Sequence, residues 1–394
     1  MSIWTIIHIA NLLLWTIMAV NVLYVAFFAL TAHLPAHKQV KAAASPTPTF
    51  LVLFPAYHED AVIVRSVKTF LKQDYPRDHY HVVVISDHMA DDTNRQLSAL
   101  PVTLLQPTFQ KSSKAKALQY AIDNYQLRIT NYEFDYVLIL DADNIVAPDF
   151  LSRLSRIVNP HQAIQCHRTA KNADNHIAAL DGISEEINNS LFRRGHNRIG
   201  LSSALIGSGM CFNYQWFKAH VHSLDSAVED RELEALLMRQ RIHIHYAEDL
   251  LVMDEKVSSS DNFQRQRLRW MTGQAQALLR MLPHLPQALI TGNVNYIDKT
   301  LQQALIPRSI LLLLLPLLSL LSFLLFRLTL PTLLWLVLTL LLFVAILMAI
   351  PPRLRTAALA RKALALPSLA CRMAANLLHI HIGNKDFSHT THSK

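Results

Sequence analysis

The chain has few cysteines and few glycines, three and eight in 394 residues. Cys166, Cys211 and Cys371 lie far apart and form no CxxC pair. That argues against a structural disulfide or a zinc knuckle and for a reducing compartment. Glycine-rich phosphate loops are missing. Gly207-Ser208-Gly209 lacks the third glycine of a dinucleotide fingerprint and follows no clear strand-to-helix crossover, so that reading is rejected. No basic stripe carries the interleaved aromatics that stack bases, which removes nucleic acid as a partner. Charge is also scarce, at 17% of residues against 51% apolar. The chain is too hydrophobic for an ordinary soluble enzyme and too charged for a pure transporter. One globular domain with a few membrane spans fits that balance. The net charge of +8 gathers largely beside the apolar segments, where it would meet anionic lipid headgroups.

Residues 3–32 are almost wholly apolar and long enough to span a bilayer. A cleaved signal peptide would have a basic n-region and a shorter core, and this segment has neither. Lys38 and Lys41 follow it, so its C-terminal end should face the cytoplasm and its N-terminus the outside. Pro46 and Pro48 mark a short linker. Two further apolar runs, 309–326 and 332–350, are separated by Arg327 and Pro331. They read as a helical hairpin; one long kinked helix is the alternative. Arg308 precedes the pair and Arg353, Arg355, Arg361 and Lys362 follow it, which puts both ends in the cytoplasm. Residues 363–382 mix apolar and basic positions and are expected on the membrane surface. The division expected is a span over 1–33, a cytoplasmic globular domain over 48–275 and interfacial helices over 276–305. A membrane hairpin over 306–350 and a basic interfacial tail over 351–394 follow.

Within the globular domain the pattern is α/β. Residues 50–54 are predicted as a strand stopping at Pro55, 61–72 as a helix, and 81–86 as a second buried strand. A third strand is expected over 101–105, a helix over 111–125 and a strand over 136–140. Strands alternating with helices predict a parallel, doubly wound sheet. Residues 228–240 form an amphipathic helix entered through acidic residues that suit its positive N-terminal dipole. Residues 262–282 form another, rich in Arg and Gln.

The stretch that organises the rest is 137–144, Val-Leu-Ile-Leu-Asp-Ala-Asp-Asn. Four apolar residues read as a strand buried on both faces. Asp141 and Asp143 follow two residues apart, so in an extended chain they project together. They stand just beyond a strand's C-terminal end, where open α/β sheets bind ligands. Paired carboxylates there suit Mg²⁺ or Mn²⁺, which clamps a diphosphate. A polar strand exit is the plainer alternative.

Four signals recur in one order. Pro55-Ala56-Tyr57-His58-Glu59 follows the first strand and Ser86-Asp87 the second. Asp141-Ala142-Asp143 comes next, then Glu229-Asp230 followed by Gln266-Arg267-Leu268-Arg269-Trp270. Gly207–Met210 lies between the last two. Together these resemble the membrane-bound inverting glycosyltransferases of family 2, which include cellulose, hyaluronan and poly-N-acetylglucosamine synthases and ceramide glucosyltransferase. The likeness covers residues 50–270. It implies a glycosyltransferase-A-type, Rossmann-like mixed sheet, and it assigns roles residue by residue. Tyr57 and Glu59 would cradle the uridine, with His58 where the family usually has Asn. Asp87 would contact uracil or ribose, with Ser86 in place of the family's first Asp. Lys114 would face the diphosphate, and Gly209 would belong to the substrate-binding loop. Asp141 would touch ribose or metal and Asp143 would bind the metal. Asp230 would be the catalytic base. Gln266, Arg269 and Trp270 would hold the diphosphate and line the acceptor site.

The chemistry needs those types. A nucleotide sugar leaves as a diphosphate of growing negative charge, which a metal and a bidentate guanidinium stabilise. The acceptor hydroxyl loses its proton to a carboxylate, and direct displacement inverts the anomeric carbon. The expected reaction is therefore transfer from a UDP-sugar to a lipid or glycan acceptor, with lipid or a lipid-linked acceptor favoured. Three spans are few for a sugar tunnel through one chain. Polymer synthesis by a homo-oligomer or with an accessory membrane subunit is the runner-up. An inactive scaffold or transport subunit is the alternative of another class. A bacterial inner membrane is the expected setting.

Other candidates carry less. Asp230 alone reads equally as a helix-start carboxylate, Trp270 as packing, and Lys111, Lys114 and Lys116 as a solvated face. Glu185 and Glu186 are adjacent on a helix, point apart, and read as solvated or polar-core residues rather than a glycosidase pair. His220, His222, His243 and His245 form two HxH pairs, read as strand-edge or surface histidines before zinc ligands.

Overall fold

The computed structural model describes residues 2–36, 47–125, 133–172, 175–226, 228–257, 259–356 and 375–376. The expectation of a surface-lying segment at 363–382 falls almost wholly outside the described residues.

Eight strands form one sheet. They are β1 (Phe50–Tyr57), β2 (Tyr80–Asp87), β3 (Thr103–Leu105) and β4 (Tyr136–Ile139), followed by β5 (Ile145–Val146), β6 (Gln162–Ala170), β7 (Met210–Asn213) and β8 (His243–Asp254). Their spatial order is β3-β2-β1-β4-β7-β6-β8-β5. The half from β3 to β4 is parallel, as the alternation predicts. The doubly wound parallel expectation fails beyond it, because β7 runs antiparallel to both β4 and β6. Strand β7 is only four residues long, too short for its apolar pattern to mark it, so the alternation gave no sign of it.

Strand β1 also runs past Pro55 to Tyr57. Its pairing with β4 ends at Leu53 while that with β2 continues through Pro55 to Tyr57. The missing N–H therefore falls where one neighbour has already left, which is where a sheet tolerates proline.

The helices are α1 (Ile3–Thr31), α2 (Ile63–Phe70), α3 (Asp91–Ser98), α4 (Lys114–Asn124), α5 (Phe150–Leu154), α6 (His176–Asn188) and α7 (His196–Arg198). After them come α8 (Tyr214–His220), α9 (Glu229–Arg239), α10 (Ser260–Met281), α11 (Leu285–Ile290), α12 (Val294–Ala304), α13 (Arg308–Phe326) and α14 (Leu330–Ala349). Helix α4 starts three residues later than predicted because the Ser113 side chain caps it, accepting from the Lys116 N–H at 3.2 Å. Strand side chains alternate between two cores. Leu51, Leu53, Val137 and Ile139 face α4, α8 and α9. Phe50, Val52, Phe54 and Leu138 face α2 and α5. Burial on both faces explains why β1 and β4 are continuous apolar runs.

Helices α1, α13 and α14 are long and apolar enough to cross a membrane. They pack on one another through Val22, Val25, Leu315, Trp335 and Leu342, while Leu13, Leu23, Leu324 and Leu340 point outward. Helices α13 and α14 form two helices joined at Arg327 rather than one kinked rod. Arg327, where the chain reverses, stands at φ 54° and ψ −147°, a conformation that L-residues rarely adopt.

Helix α1 is also built into the globular domain. The Tyr24 hydroxyl donates to Asp298 at 2.8 Å and lies 3.0 Å from His196 Nε2. The His196 ring stacks on Phe28 with centroids 3.6 Å apart. Residues Asn189–Gly195, just before His196, are wound as a π-helix, a form that recurs at functional sites. Gly195 closes this joint. A Cβ there would stand 2.5 Å from the Phe28 carbonyl oxygen and 3.0 Å from Thr31 Oγ1. Gly195→Ala is therefore expected to push α1 off the domain and cost about 1–3 kcal/mol. Thermal unfolding of the purified variant in detergent checks this: a midpoint several degrees lower is expected, and an unchanged one would contradict the joint.

Candidate active site

All the parallel strands deliver their C-terminal ends to one edge, and the chemistry-bearing side chains collect there. Tyr57 and Asp87 are register partners at the ends of β1 and β2. The next residue of each strand, His58 and His88, stands at φ 53°. Left-handed backbone costs an L-residue roughly 1 kcal/mol and is best tolerated by Gly, Asn, Asp and His. The histidine at position 58 thus meets a backbone demand that Asn also meets. His88 Nδ1 lies 2.6 Å from Asp87 Oδ1 and fixes that carboxylate.

Beyond β4 the chain turns through Asp141–Asn144. The Asn144 side chain holds the turn, accepting from the Asp141 N–H at 2.9 Å and from the Ser208 hydroxyl. Its amide donates to Asp143 Oδ1 at 3.1 Å, and the Glu255 N–H donates to Asp143 Oδ2 at 2.7 Å. Asp143 is thereby buried in a single orientation. Asp141 has a different partner. Lys114, the first residue of α4, donates to Asp141 Oδ1 and to the Gly207 carbonyl. Its Nζ also lies 3.5 Å from Glu229 Oε1.

Glu229 and Asp230 open α9, and Asp230 Oδ1 accepts from the Arg231 N–H at 2.9 Å. Gly207, at φ +67°, faces this cluster: a Cβ on it would stand 3.8 Å from Asp230 Oδ2 and 3.9 Å from Lys114 Nζ. Helix α10 adds Gln266, Arg269 and Trp270, spaced to share one face. Gly273, one turn on, lets that face approach, because a Cβ there would collide with Val228 beside Glu229. Arg267 stacks over the Trp270 ring at 4.6 Å and pairs with Asp181. Gln266 Oε1 is closed off from solvent with no partner among the described residues.

One cavity of about 760 Å³ joins these groups. Tyr57, Glu59, Asp87, Lys114, Asp141, Asp143, Asp230, Gln266, Arg269 and Trp270 all line it. Gly209 does not. It sits inside the sheet, where a Cβ would stand 3.0 Å from Val252 Cγ2 and 3.2 Å from Cys166 Cβ. Close strand packing explains that glycine, and Gly207 is the one at the cavity wall. Sequence reasoning also passed over the layer behind. Arg168 pairs with Glu185 at 2.9 Å, Arg193 with Glu185 at 3.3 Å, and Lys256 with Asp254 at 2.8 Å. Glu185 and Glu186 belong to the buried polar core. Their sequence signal was a pair of adjacent acids on a helix that also carries Asp181. The HxH histidines do not converge: His222 pairs with Asp123, His220 stacks on Trp216, and His243 contacts Ser202. No group of three or more His, Cys, Asp or Glu among the described residues is placed to hold a metal.

The electrostatics follow from crowding buried charges. Burial would lower the Lys114 pKa, but Asp141 and Glu229 outweigh it and raise it. Glu185 is the converse: burial would raise it, yet Arg168, Lys256 and Arg193 hold it down at about 2. Burial lowers the Arg269 pKa against the opposing carboxylates Glu229, Asp141 and Asp230. Burial lifts Glu229 to about 7, with Lys114 opposing and Asp230 adding to the rise.

A family model described as "Glycosyltransferase like family 2" matches residues 46–273. A beta-monoglucosyldiacylglycerol synthase of Nostoc sp. is 25% identical over 277 residues, covering 68% of this chain and 56% of that protein. Its counterpart from Trichormus variabilis is 24% identical over the same length. The chain thus spans little more than half the length of these relatives. A solved mannosyltransferase from Pyrobaculum calidifontis, in complex with GDP-Man and Mn²⁺, superposes with a TM-score of 0.53 at 17% identity. The superposition covers 94% of this chain and 97% of that one. At that identity it shows the fold, the glycosyltransferase-A-type mixed sheet with apolar helices.

Glu229 makes stability pH-dependent. An unfolded chain releases this proton near pH 4.5, whereas the folded chain keeps it to about pH 7. The native state therefore binds the extra proton, and its stability falls as pH rises from the first value to the second. Glu229→Gln should flatten that part of the profile. Unfolding midpoints of both proteins between pH 5 and pH 8 test it, and parallel curves would rule the assignment out.

Proposed function

The chain belongs to glycosyltransferase family 2, and from that premise we propose that it transfers a sugar from a UDP-sugar to a lipid or lipid-linked acceptor with inversion. The observation that carries the reading is the continuity of the cavity. Lys114, Asp141, Asp143, Asp230, Gln266, Arg269 and Trp270 line it together with Leu312 of α13 and Phe343, Ile346 and Leu347 of α14. A polar donor and an apolar acceptor meet in that one space. The names of the two curated relatives, both glucolipid synthases, support a lipid product.

In this reading Tyr57, Glu59 and Asp87 hold the uridine. Lys114 and Arg269 meet the diphosphate, and Gln266 offers its unpartnered oxygen to a donor group. Asp141 and Asp143, both lining the cavity, would hold a Mg²⁺ or Mn²⁺, ions that a protein commonly binds through one or two carboxylates. When bound, that ion would neutralise charge on the leaving diphosphate. The acceptor hydroxyl oxygen forms the new bond to the anomeric carbon. The old carbon–oxygen bond breaks and its electron pair leaves with the diphosphate. The hydroxyl proton passes to Asp230, whose Oδ2 is turned toward Gly207 in the cavity wall. Attack opposite the leaving group turns an α-linked donor into a β-linked product. The positive-inside pattern supports a membrane position with the catalytic domain in the cytoplasm.

A screen of UDP-sugars with protein in nanodiscs, read as UDP release, is the test. Turnover is expected with one or a few donors; no release with any would contradict the proposal. Asp230→Asn keeps the shape but takes no proton. It is expected to retain donor binding and lose roughly a hundredfold or more in rate. An unchanged rate would remove Asp230 from the mechanism. Asp143→Ala is expected to abolish turnover, and full activity of that variant in EDTA would end the metal assignment.

A further inference from the structure

The wall of the cavity beside α6, the start of α13 and the end of α14 carries arginines that sugar transfer to a neutral lipid does not use. Arg267 and Arg308 meet α6 there, through Asp181 and Asn188, and Arg355 meets the end of α14; all three line the cavity. Asp181 is already bonded to Arg267. Arg308 and Arg355 form no ion pair with a carboxylate among the described residues. Arg308 is the first residue of α13, at the level where the membrane helix leaves the domain. Its Nη2 donates to Asn188 Oδ1 at 2.7 Å and to the Ser184 carbonyl at 3.3 Å. Its guanidinium lies 5.8 Å from the Phe192 ring centre. Its Nη1 is closed off from solvent with no partner among the described residues. Glu185, next to Ser184 on α6, is already shared by Arg168 and Arg193. Among the described residues Arg355 donates to the Ile350 and Met348 carbonyls at the end of α14.

A desolvated cation without a counter-charge is costly, and a ligand that brings the missing anion recovers that cost. Guanidinium pairs with phosphate by two parallel hydrogen bonds, which a neutral glycerol hydroxyl cannot offer. Beside Arg308 the wall turns apolar through Ile183, Ile187 and Leu312, so the anion arrives attached to hydrocarbon. We propose that this wall is a headgroup site for a phosphate-bearing lipid acceptor, held by Arg308 with Arg355 at its mouth. The inference rests on the lipid-transfer reading above and narrows the acceptor from lipids at large to anionic ones. Arg308 acts as a specificity residue. It fixes the headgroup phosphate so that the adjoining hydroxyl reaches the donor carbon at Asp230.

The test uses the full chain in phosphatidylcholine vesicles with the UDP-sugar that the donor screen identifies. Phosphatidylglycerol, diacylglycerol or a polyprenyl phosphate is added in turn, and labelled product is counted in the organic phase. Phosphatidylglycerol is expected to be glycosylated in preference to diacylglycerol. Arg308→Gln is expected to raise the KM for the anionic lipid tenfold or more with the donor KM unchanged, and Arg308→Lys to recover part of it. Arg355→Gln, which removes a side chain bonded to backbone carbonyls among the described residues, supplies the same readout if Arg308→Gln does not fold; it should raise that KM severalfold. Sugar found on the polyprenyl phosphate, which has no adjoining hydroxyl and attacks through its own phosphate oxygen, overturns the headgroup role of Arg308. Equal use of diacylglycerol by wild type and variants, with no anionic lipid accepted, overturns the site and leaves lipid transfer standing. UDP release with sugar only in a water-soluble product overturns both.

Discussion

A lysine ammonium taken out of water needs acceptors and counter-charge close by. Lys114 donates to Asp141 and to the Gly207 carbonyl and lies 3.5 Å from Glu229. Those partners come from the exit of β4, from the loop before β7 and from the start of α9, while the lysine itself begins α4. One buried charge thus ties four segments, distant in sequence, to a common point. The carboxylates depend on it equally, since Asp141, Glu229 and Asp230 crowd a low-dielectric pocket and would repel one another without a cation between them. Glu229 already shows the strain by holding its proton toward neutral pH. In the proposed reaction the diphosphate competes for the same ammonium, so donor arrival rearranges the cluster around the point where the acceptor is deprotonated.

The membrane helices belong to that arrangement. Helix α1 reaches the domain through Tyr24, Phe28 and the Asn21 side chain, whose oxygen accepts from the Ile306 N–H at 2.8 Å. The π-helical turn that meets α1 also aims Arg193 at Glu185 and Phe192 into the cavity. Helix α13 starts beside the same turn. Moving any of these helices moves a wall of the cavity. In the proposed reading the apolar helices are for that reason part of the acceptor site, and a lipid substrate would enter where α13 and α14 rise from the domain.

Much of this was legible in the residues. β1, β2 and β4 read as short apolar runs because both faces are buried, and the acidic and QxxRW signals sit where strands and helices end. The order of those signals was enough to reach the family. Long-range pairing was less legible. The four residues of β7 carry no alternation that marks them, and only their neighbours in space make them a strand. Pro55 reads as a stop until the sheet shows that β4 has already left. Gly207 and Gly209 look alike in sequence; one faces the cavity and the other Val252, a difference that only packing reveals. Arg308 reads as a flanking positive charge, and its lack of a counter-charge exists only once α6 and α13 are side by side. Glu185 was set aside as one of two acids pointing apart, which is true, yet three buried cations gather on it.

The central claim is that donor and acceptor meet in one cavity open to the membrane. Mass spectrometry of the products formed by purified protein from a UDP-sugar and membrane lipids tests it most directly. The account predicts a lipid that carries one added sugar, recovered in the organic phase. A ladder of many sugars in the aqueous phase, made without a partner protein, would contradict it.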